Sequence, residues 1–179
     1  MKRVNRILVP TDLSEHSRRA LVYSCGLAAE EKAALTILHV VNDPSAWEFY
    51  ADDPPLSHRN GAPLPVDRVL AEKSIDLNRF LEPSMPDLRR TAQATKRVVL
   101  GSVPEQIAAV AKETSIDLIV MSPRGRGLRR TLFGSVTDIV TRTSPCPVLT
   151  LAPPQPSNRW RGHLLPFYFP WPRRIPLGI

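Results

Sequence analysis

The stretch RILVPTDLSEHSRRALVYSCGLAAEEKAALTILHVV, residues 6–41, decides the fold class. Its opening, Arg6-Ile-Leu-Val-Pro10, is a short apolar run that reads as a buried strand. Ser14 to Lys32 then sets Ala20, Leu21, Cys25, Leu27 and Ala28 at helical spacing, with Asp12 or Ser14 available as the N-cap. Ala34 to Val41 is a second apolar strand. Strand, helix and strand in about 36 residues is the spacing of a parallel crossover unit.

The alternation continues outward from this unit. Arg68 to Leu81 carries Val69, Leu70, Ile75, Leu77 and Leu81 and reads as a helix. Thr95 to Leu100 reads as a strand, Pro104 to Thr114 as a helix with proline in its first turn, and Ile116 to Met121 as a strand. Leu132 to Thr143 closes the helices and Pro147 to Leu151 the strands. Strands that are apolar on both faces and alternate with helices predict an α/β domain. Its form is a doubly wound, five-stranded parallel sheet with helices on both faces. Ligands of such sheets sit beyond the carboxyl ends of the strands, at the switch point. That rule selects Pro10, Thr11 and Asp12, Val40 with Val41, and Met121 onward. Asn42 to Asp67 has five prolines and reads as a long loop.

The chain has 179 residues, 42% hydrophobic and 23% charged, which suits one globular domain with an appendage. The composition shifts after Ala152, so the domain is expected over 1–152. Residues 153–179 hold seven prolines, five of the eleven aromatics, four arginines and no acid. They read as an extended Pro/Arg/aromatic tail, either disordered or a segment for contacts with another protein. The formal charge is +7, and the tail supplies +4 of it. The remaining +3 of the domain is a weak argument for nucleic acid as a partner. No apolar run approaches the ~18 residues of a membrane span. The N-terminal apolar run is too short for a signal peptide, so a cytoplasmic location is expected. Cys25 and Cys146 are too few for a disulfide scaffold or a cysteine zinc cluster. Cys25 sits on an apolar helical face, and Cys146 lies between two prolines at the last strand. His39, on a strand, reads as a hydrogen-bonded core residue. His16, His58 and His163 have no metal-ligand spacing with one another.

The segment Met121-Ser-Pro-Arg-Gly-Arg-Gly-Leu-Arg-Arg-Thr-Leu-Phe-Gly-Ser-Val-Thr137 follows the fourth strand. Gly125, Gly127 and Gly134 permit close backbone approach. Gly134-Ser135-Val136 opens a helix, where free N–H groups favour an anion. Arg124 and Arg126 add charge beside it. The segment therefore reads either as a phosphate-holding loop or as a glycine-rich turn with solvated arginines. It is neither a Walker-type P-loop nor a G-x-G-x-x-G dinucleotide fingerprint.

Ile7-Leu-Val-Pro-Thr-Asp-Leu-Ser14, Leu38-His-Val40, Asp117-Leu-Ile-Val-Met121, Gly134-Ser-Val136 and Ser144-Pro-Cys-Pro-Val148 occur in this order. Together they resemble the universal stress proteins over residues 4–152. The resemblance implies a Rossmann-like sheet of the adenine nucleotide alpha-hydrolase type. It also implies a homodimer paired through the last strand, Pro147–Leu151. Some members bind ATP, with or without magnesium, and others bind none. Carried onto this chain, Asp12 would contact the adenosine, Val40 would offer backbone groups to adenine, and Gly125 would line the phosphates. Gly134, Ser135 and Val136 would hold the phosphates through N–H groups and a hydroxyl. The binders' loop pattern is G-x2-G-x9-G-[ST]. Here Ser122 replaces the first glycine, and eight residues separate Gly125 from Gly134.

Two functions follow from this resemblance. One is an ATP-binding regulatory stress protein with turnover slow or absent, since no residue is placed to activate water. The other is a nucleotide-free dimeric module acting through protein contacts. Asp12 likewise has two readings, as a ligand contact or as a helix cap.

Overall fold

The computed structural model describes residues 3–42, 66–123 and 134–151. The loop predicted over 42–67 therefore lies mostly outside the described residues. So do Arg124, Gly125, Arg126 and the tail.

Five parallel strands form one sheet: β1 (Arg6–Thr11), β2 (Ala34–Val41), β3 (Gln93–Leu100), β4 (Leu118–Met121) and β5 (Val148–Thr150). Their order is β3-β2-β1-β4-β5. The chain steps outward from β1 to β3, then returns to the other side of β1, so the switch point lies between β1 and β4. The helices are α1 (Glu15–Glu31), α2 (Val66–Leu81), the short α3 (Met85–Leu88), α4 (Val103–Glu113) and α5 (Ser135–Thr143).

Alternation along each strand divides the core into two layers. Ile7, Val9, Leu35, Ile37 and Val120 pack with Ala20, Leu21 and Cys25 of α1 and Leu77, Phe80 and Leu81 of α2. Leu8, Leu38, Ile119 and Met121 pack on the opposite face with Ile107, Val110 and Ala111 of α4 and Val140 of α5. This is the predicted doubly wound arrangement.

Several boundaries differ from the sequence reading. Val66 and Asp67 belong to α2 rather than to the preceding loop, and β3 starts at Gln93 rather than Thr95. β4 starts at Leu118 rather than Ile116. The reason is local: Ser115 turns left-handed at φ 52°, and the Ile116 N–H returns to Ala111 O of α4 at 2.9 Å. Residues 82–88, unassigned from sequence, form a 3₁₀ turn (Glu82–Ser84) and α3, each with proline in its first turn. Of the helix expected over 132–143, residues 132 and 133 lie outside the described residues.

Candidate functional site

The site begins where β1 stops. The β1–β2 ladder runs to Thr11↔His39, whereas β1 and β4 pair through Ile7↔Leu118 and Leu8↔Ile119. Pro10, buried opposite Leu38, has no N–H to offer a neighbour. The carboxyl half of β1 thus leaves β4 while it still pairs with β2. β2 continues beyond Thr11 through Val40 and Val41, and Val41 O accepts from Gly101 N at 3.0 Å.

From β1 the chain turns sharply into α1. Leu13 takes φ 61°, a conformation unfavourable for a leucine, and its N–H is held by Thr11 Oγ1 at 3.0 Å. Thr11 Oγ1 also shares a hydrogen bond with Ser17 Oγ at 2.8 Å, in a buried setting. Ser14 is the N-cap of α1, accepting from the Ser17 N–H through Oγ at 3.3 Å. The same hydroxyl donates to Asp12 Oδ1 at 2.5 Å, and the Ser14 N–H donates to that oxygen at 3.1 Å. Of the two cap candidates, Ser14 is the cap and Asp12 orients it.

This leaves Asp12 Oδ2 buried with no hydrogen-bond partner among the described residues. Burial pushes the Asp12 carboxyl up. Hydrogen bonds, led by those from Ser14 Oγ and N–H and joined by Ser17, outweigh burial and hold it below the usual 3.8. Asp12 is therefore ionised near neutral pH and accepts hydrogen bonds without donating any.

Asp12 faces an open cleft of about 480 Å³ lined by Leu13, Arg18, His39, Lys73, Asp76, Arg79 and Phe80. His39 was expected in the core. It is half-buried and lines this cleft, with Nδ1 2.9 Å from Thr11 O. Strand alternation puts it on the α1–α2 face, and side chains of both helices line the cleft with it. The cations of the cleft are engaged. Arg18 donates from Nε to Glu15 Oε2 at 2.8 Å and from Nη1 to Phe80 O at 2.5 Å. Its guanidinium also lies 4.3 Å from the Phe80 ring centre, joining α1 to α2. Lys73 Nζ donates to Asp76 Oδ2 at 3.1 Å, and Arg79 stands 4.0 Å from Oδ1. The Lys73 hydrogen bond is the first cause holding the Asp76 carboxyl low. The sequence reading missed these α2 residues. Their i, i+3 spacing marked an exposed helix face, with nothing to show which strand end it overlooks.

The second part of the predicted site lies past β4. Met121 is buried, and its carbonyl accepts from Leu151 N at 3.0 Å. Ser122 O accepts from Thr137 Oγ1 at 3.2 Å, and Pro123 O accepts from Gly134 N at 2.8 Å. The two ends of segment 124–133 are thereby tied together. Gly134 is the N-cap of α5 and supplies no side chain to its first N–H groups. Ser135 is exposed and Val136 half-buried at the helix start. The Gly134 N–H, expected to face a phosphate, is spent on Pro123.

Among the described residues, no three His, Cys, Asp or Glu side chains converge as a metal site. Among them, too, no helix is long and apolar enough to cross a membrane.

Residues 3–151 match the Universal stress protein family. The chain is 32% identical to universal stress protein YxiE of Bacillus subtilis over 148 residues, 81% of this chain and 97% of that one. It resembles the solved universal stress protein UspA from Lactobacillus plantarum with a TM-score of 0.64 and 25% identity, covering 84% of this chain and 99% of that one. A third likeness is to a universal stress protein solved in complex with cAMP. There the TM-score is 0.53 and the identity 23%, over 84% of this chain and 98% of that one. The match spans the whole described region, from the strand that ends at Thr11 to the strand that follows Cys146, and on it the chain belongs to the universal stress protein family.

Proposed function

We propose that this chain binds an adenine nucleotide at the carboxyl ends of β1, β2 and β4 and works as a regulatory stress-response protein with little or no turnover. The observation that carries the reading is Asp12 Oδ2, a buried acceptor without a partner among the described residues. A buried carboxylate oxygen left unbonded is costly, and a ligand donor relieves that cost. Adenosine brings such donors in its ribose hydroxyls and exocyclic amine, and a relative was solved with cAMP. The strained turn at Leu13, immediately after Asp12, is the kind of backbone that ligand sites retain.

In this reading Thr11 and Asp12 meet the adenosine, and Val40 meets the base. Met121 and Ser122 flank the phosphate path. Ser135 and Val136 supply the N–H groups and hydroxyl of a helix N-terminus to a phosphate. Arg124, Gly125 and Arg126, outside the described residues, are proposed as phosphate partners on the family pattern and their charge. ATP, with magnesium as its companion, is the species to test. The protein is proposed to be cytoplasmic and to pair as a homodimer through Pro147–Leu151, with a protein partner proposed for the 153–179 tail.

A specific observation favours the second reading, a nucleotide-free module. The Gly134 N–H is held by Pro123 O, and Pro123 has no N–H of its own. Two backbone donors are thereby withdrawn from the phosphate end. Titration calorimetry of the full chain with ATP and magnesium decides between the two readings. Saturable binding whose affinity Asp12→Ala lowers at least tenfold, roughly one charged hydrogen bond, supports the first. No heat and no thermal shift at millimolar ATP support the second.

A further inference from the structure

We propose that the outer face of α1 is a docking surface for α1 of a second copy of this chain, the two helices lying antiparallel about a two-fold axis. Exposed residues of α1 recur at Arg19, Val22, Gly26 and Glu30. They are three or four positions apart and so form one stripe along the helix. Val22 is an apolar side chain left 40% exposed on that stripe. Gly26 sits mid-helix, where glycine weakens a helix relative to alanine. A Cβ there would meet nothing within 4 Å, so nothing among the described residues requires a glycine. It suits instead the close approach of a backbone from outside. α3 packs against α1 and adds the exposed Met85 on the same side of the sheet.

The charges at the ends of the stripe select the partner. The side chains of Arg19 and Glu30 are exposed, and neither has an ion pair or hydrogen bond among the described residues. Glu30 lies in the last turn of α1, at the negative end of the helix dipole, and that turn holds no basic side chain. A second α1 laid antiparallel on the first, centred between Ser24 and Cys25, sets Arg19 of each copy beside the partner's Glu30. Val22 and Gly26 then meet their counterparts in the middle. From Arg19 to Glu30 the stripe runs about 16 Å at the helical rise, so both ion pairs and the centre form together. Such a contact is isologous, the same patch on both copies. One helix face is smaller than the roughly 800 Å² per partner of a standard interface, so the pairing is weak and shows at high protein concentration. It does not use the edge of β5 and is independent of the pairing proposed there.

The test is sedimentation equilibrium of the full chain from micromolar to millimolar concentration. It compares wild type, Arg19→Glu, Glu30→Arg and the double reversal, with a thermal melt of each to verify folding. The two-fold makes each substitution count twice, so a single reversal turns two attractions into two repulsions. Each single reversal should weaken association about tenfold. The double reversal rebuilds both pairs with their signs exchanged and should restore it. An equimolar mixture of the two single variants should associate as well, because one is acidic at both ends of the stripe and the other basic at both. Gly26→Gln should raise the melting temperature by removing a glycine from the helix, and weaken association by holding the backbones apart. Three results overturn the proposal: a wild type that does not associate over this range, association that neither the single reversals nor Gly26→Gln change, and a loss that neither the double reversal nor the mixture repairs. The second of these assigns assembly to β5, or the α1 face to another occupant such as residues 153–179.

Discussion

The backbone N–H of Gly134 donates to the carbonyl oxygen of Pro123 at 2.8 Å, and this bond fixes where segment 124–133 leaves and rejoins the fold. The backbone at this glycine is unexceptional. Gly134 has φ −69°, which any residue adopts, and an added Cβ would meet Pro123 O at an ordinary 3.4 Å. Backbone strain therefore does not demand glycine here. Close approach of a ligand to the start of α5 would.

Gly134→Ala separates these two demands. The loss of a good N-cap and the gain from a stiffer unfolded chain roughly cancel, so unfolding free energy should change by less than about 1 kcal/mol. ATP affinity, in the same preparation, should fall. A variant destabilised by several kcal/mol in urea titration would show that the glycine is structural after all.

Gly101 poses the opposite case. It has φ +145°, a region of backbone space that is nearly glycine's alone, and an added Cβ would come within 2.7 Å of the Gln106 side chain. Its N–H also ties the end of β3 to Val41 O. Gly101→Ala should cost about 1–3 kcal/mol. Gln106→Ala made on top removes the clash and leaves the backbone strain, so the double variant should recover part of the loss. Full recovery would mean that φ was never the constraint.

These glycines also mark what the sequence could and could not reveal. The strand positions were legible because a parallel sheet buried on both faces demands unbroken apolar runs such as Leu118 to Met121. The turn after β1 was legible because Asp12, Ser14 and the helical spacing behind them leave few alternatives. The half-exposure of His39 was not legible. Its neighbours Leu38 and Val40 are buried, and nothing local says that a cleft opens between α1, α2 and this strand end. Arg18 and Phe80 lie 62 positions apart in the chain, so their contact across α1 and α2 follows from the tertiary packing alone. The fate of the Gly134 N–H was hidden for the same reason. A glycine-rich loop announces available donors, and whether a carbonyl such as Pro123 O takes one is decided by closure of the loop.

The two cysteines should behave as separate reagents. Burial, the first cause, pushes the Cys25 thiol up to about 12, and it lies on the buried face of α1 in the core. Cys146 is half-buried at the approach to β5. A thiol reagent at about pH 8 should label Cys146 in the native protein and reach Cys25 at the rate of opening, because the thiolate is the reacting species. Cys146→Ser should therefore abolish fast labelling. Fast labelling that survives this change would mean that the α1 face opens far more readily than its packing implies.

Asp12 ties the stability of the fold to its proposed ligand through pH. Its carboxyl is held below its usual 3.8 in the folded chain, so the unfolded chain takes up the proton first as pH falls. Its contribution to stability is complete above the unfolded value and is lost as pH drops through the folded one. In urea titrations between neutral pH and about pH 3, Asp12→Asn should lose stability less steeply than wild type at the acid end. The two curves should run parallel above about pH 5. A ligand donor on Oδ2 favours the ionised form further, so ATP affinity should weaken over the same acid window in wild type and be flatter in Asp12→Asn. If the stability curves diverge as expected while the affinity curves do not, Asp12 is a turn residue that no ligand touches, and the nucleotide must be held elsewhere.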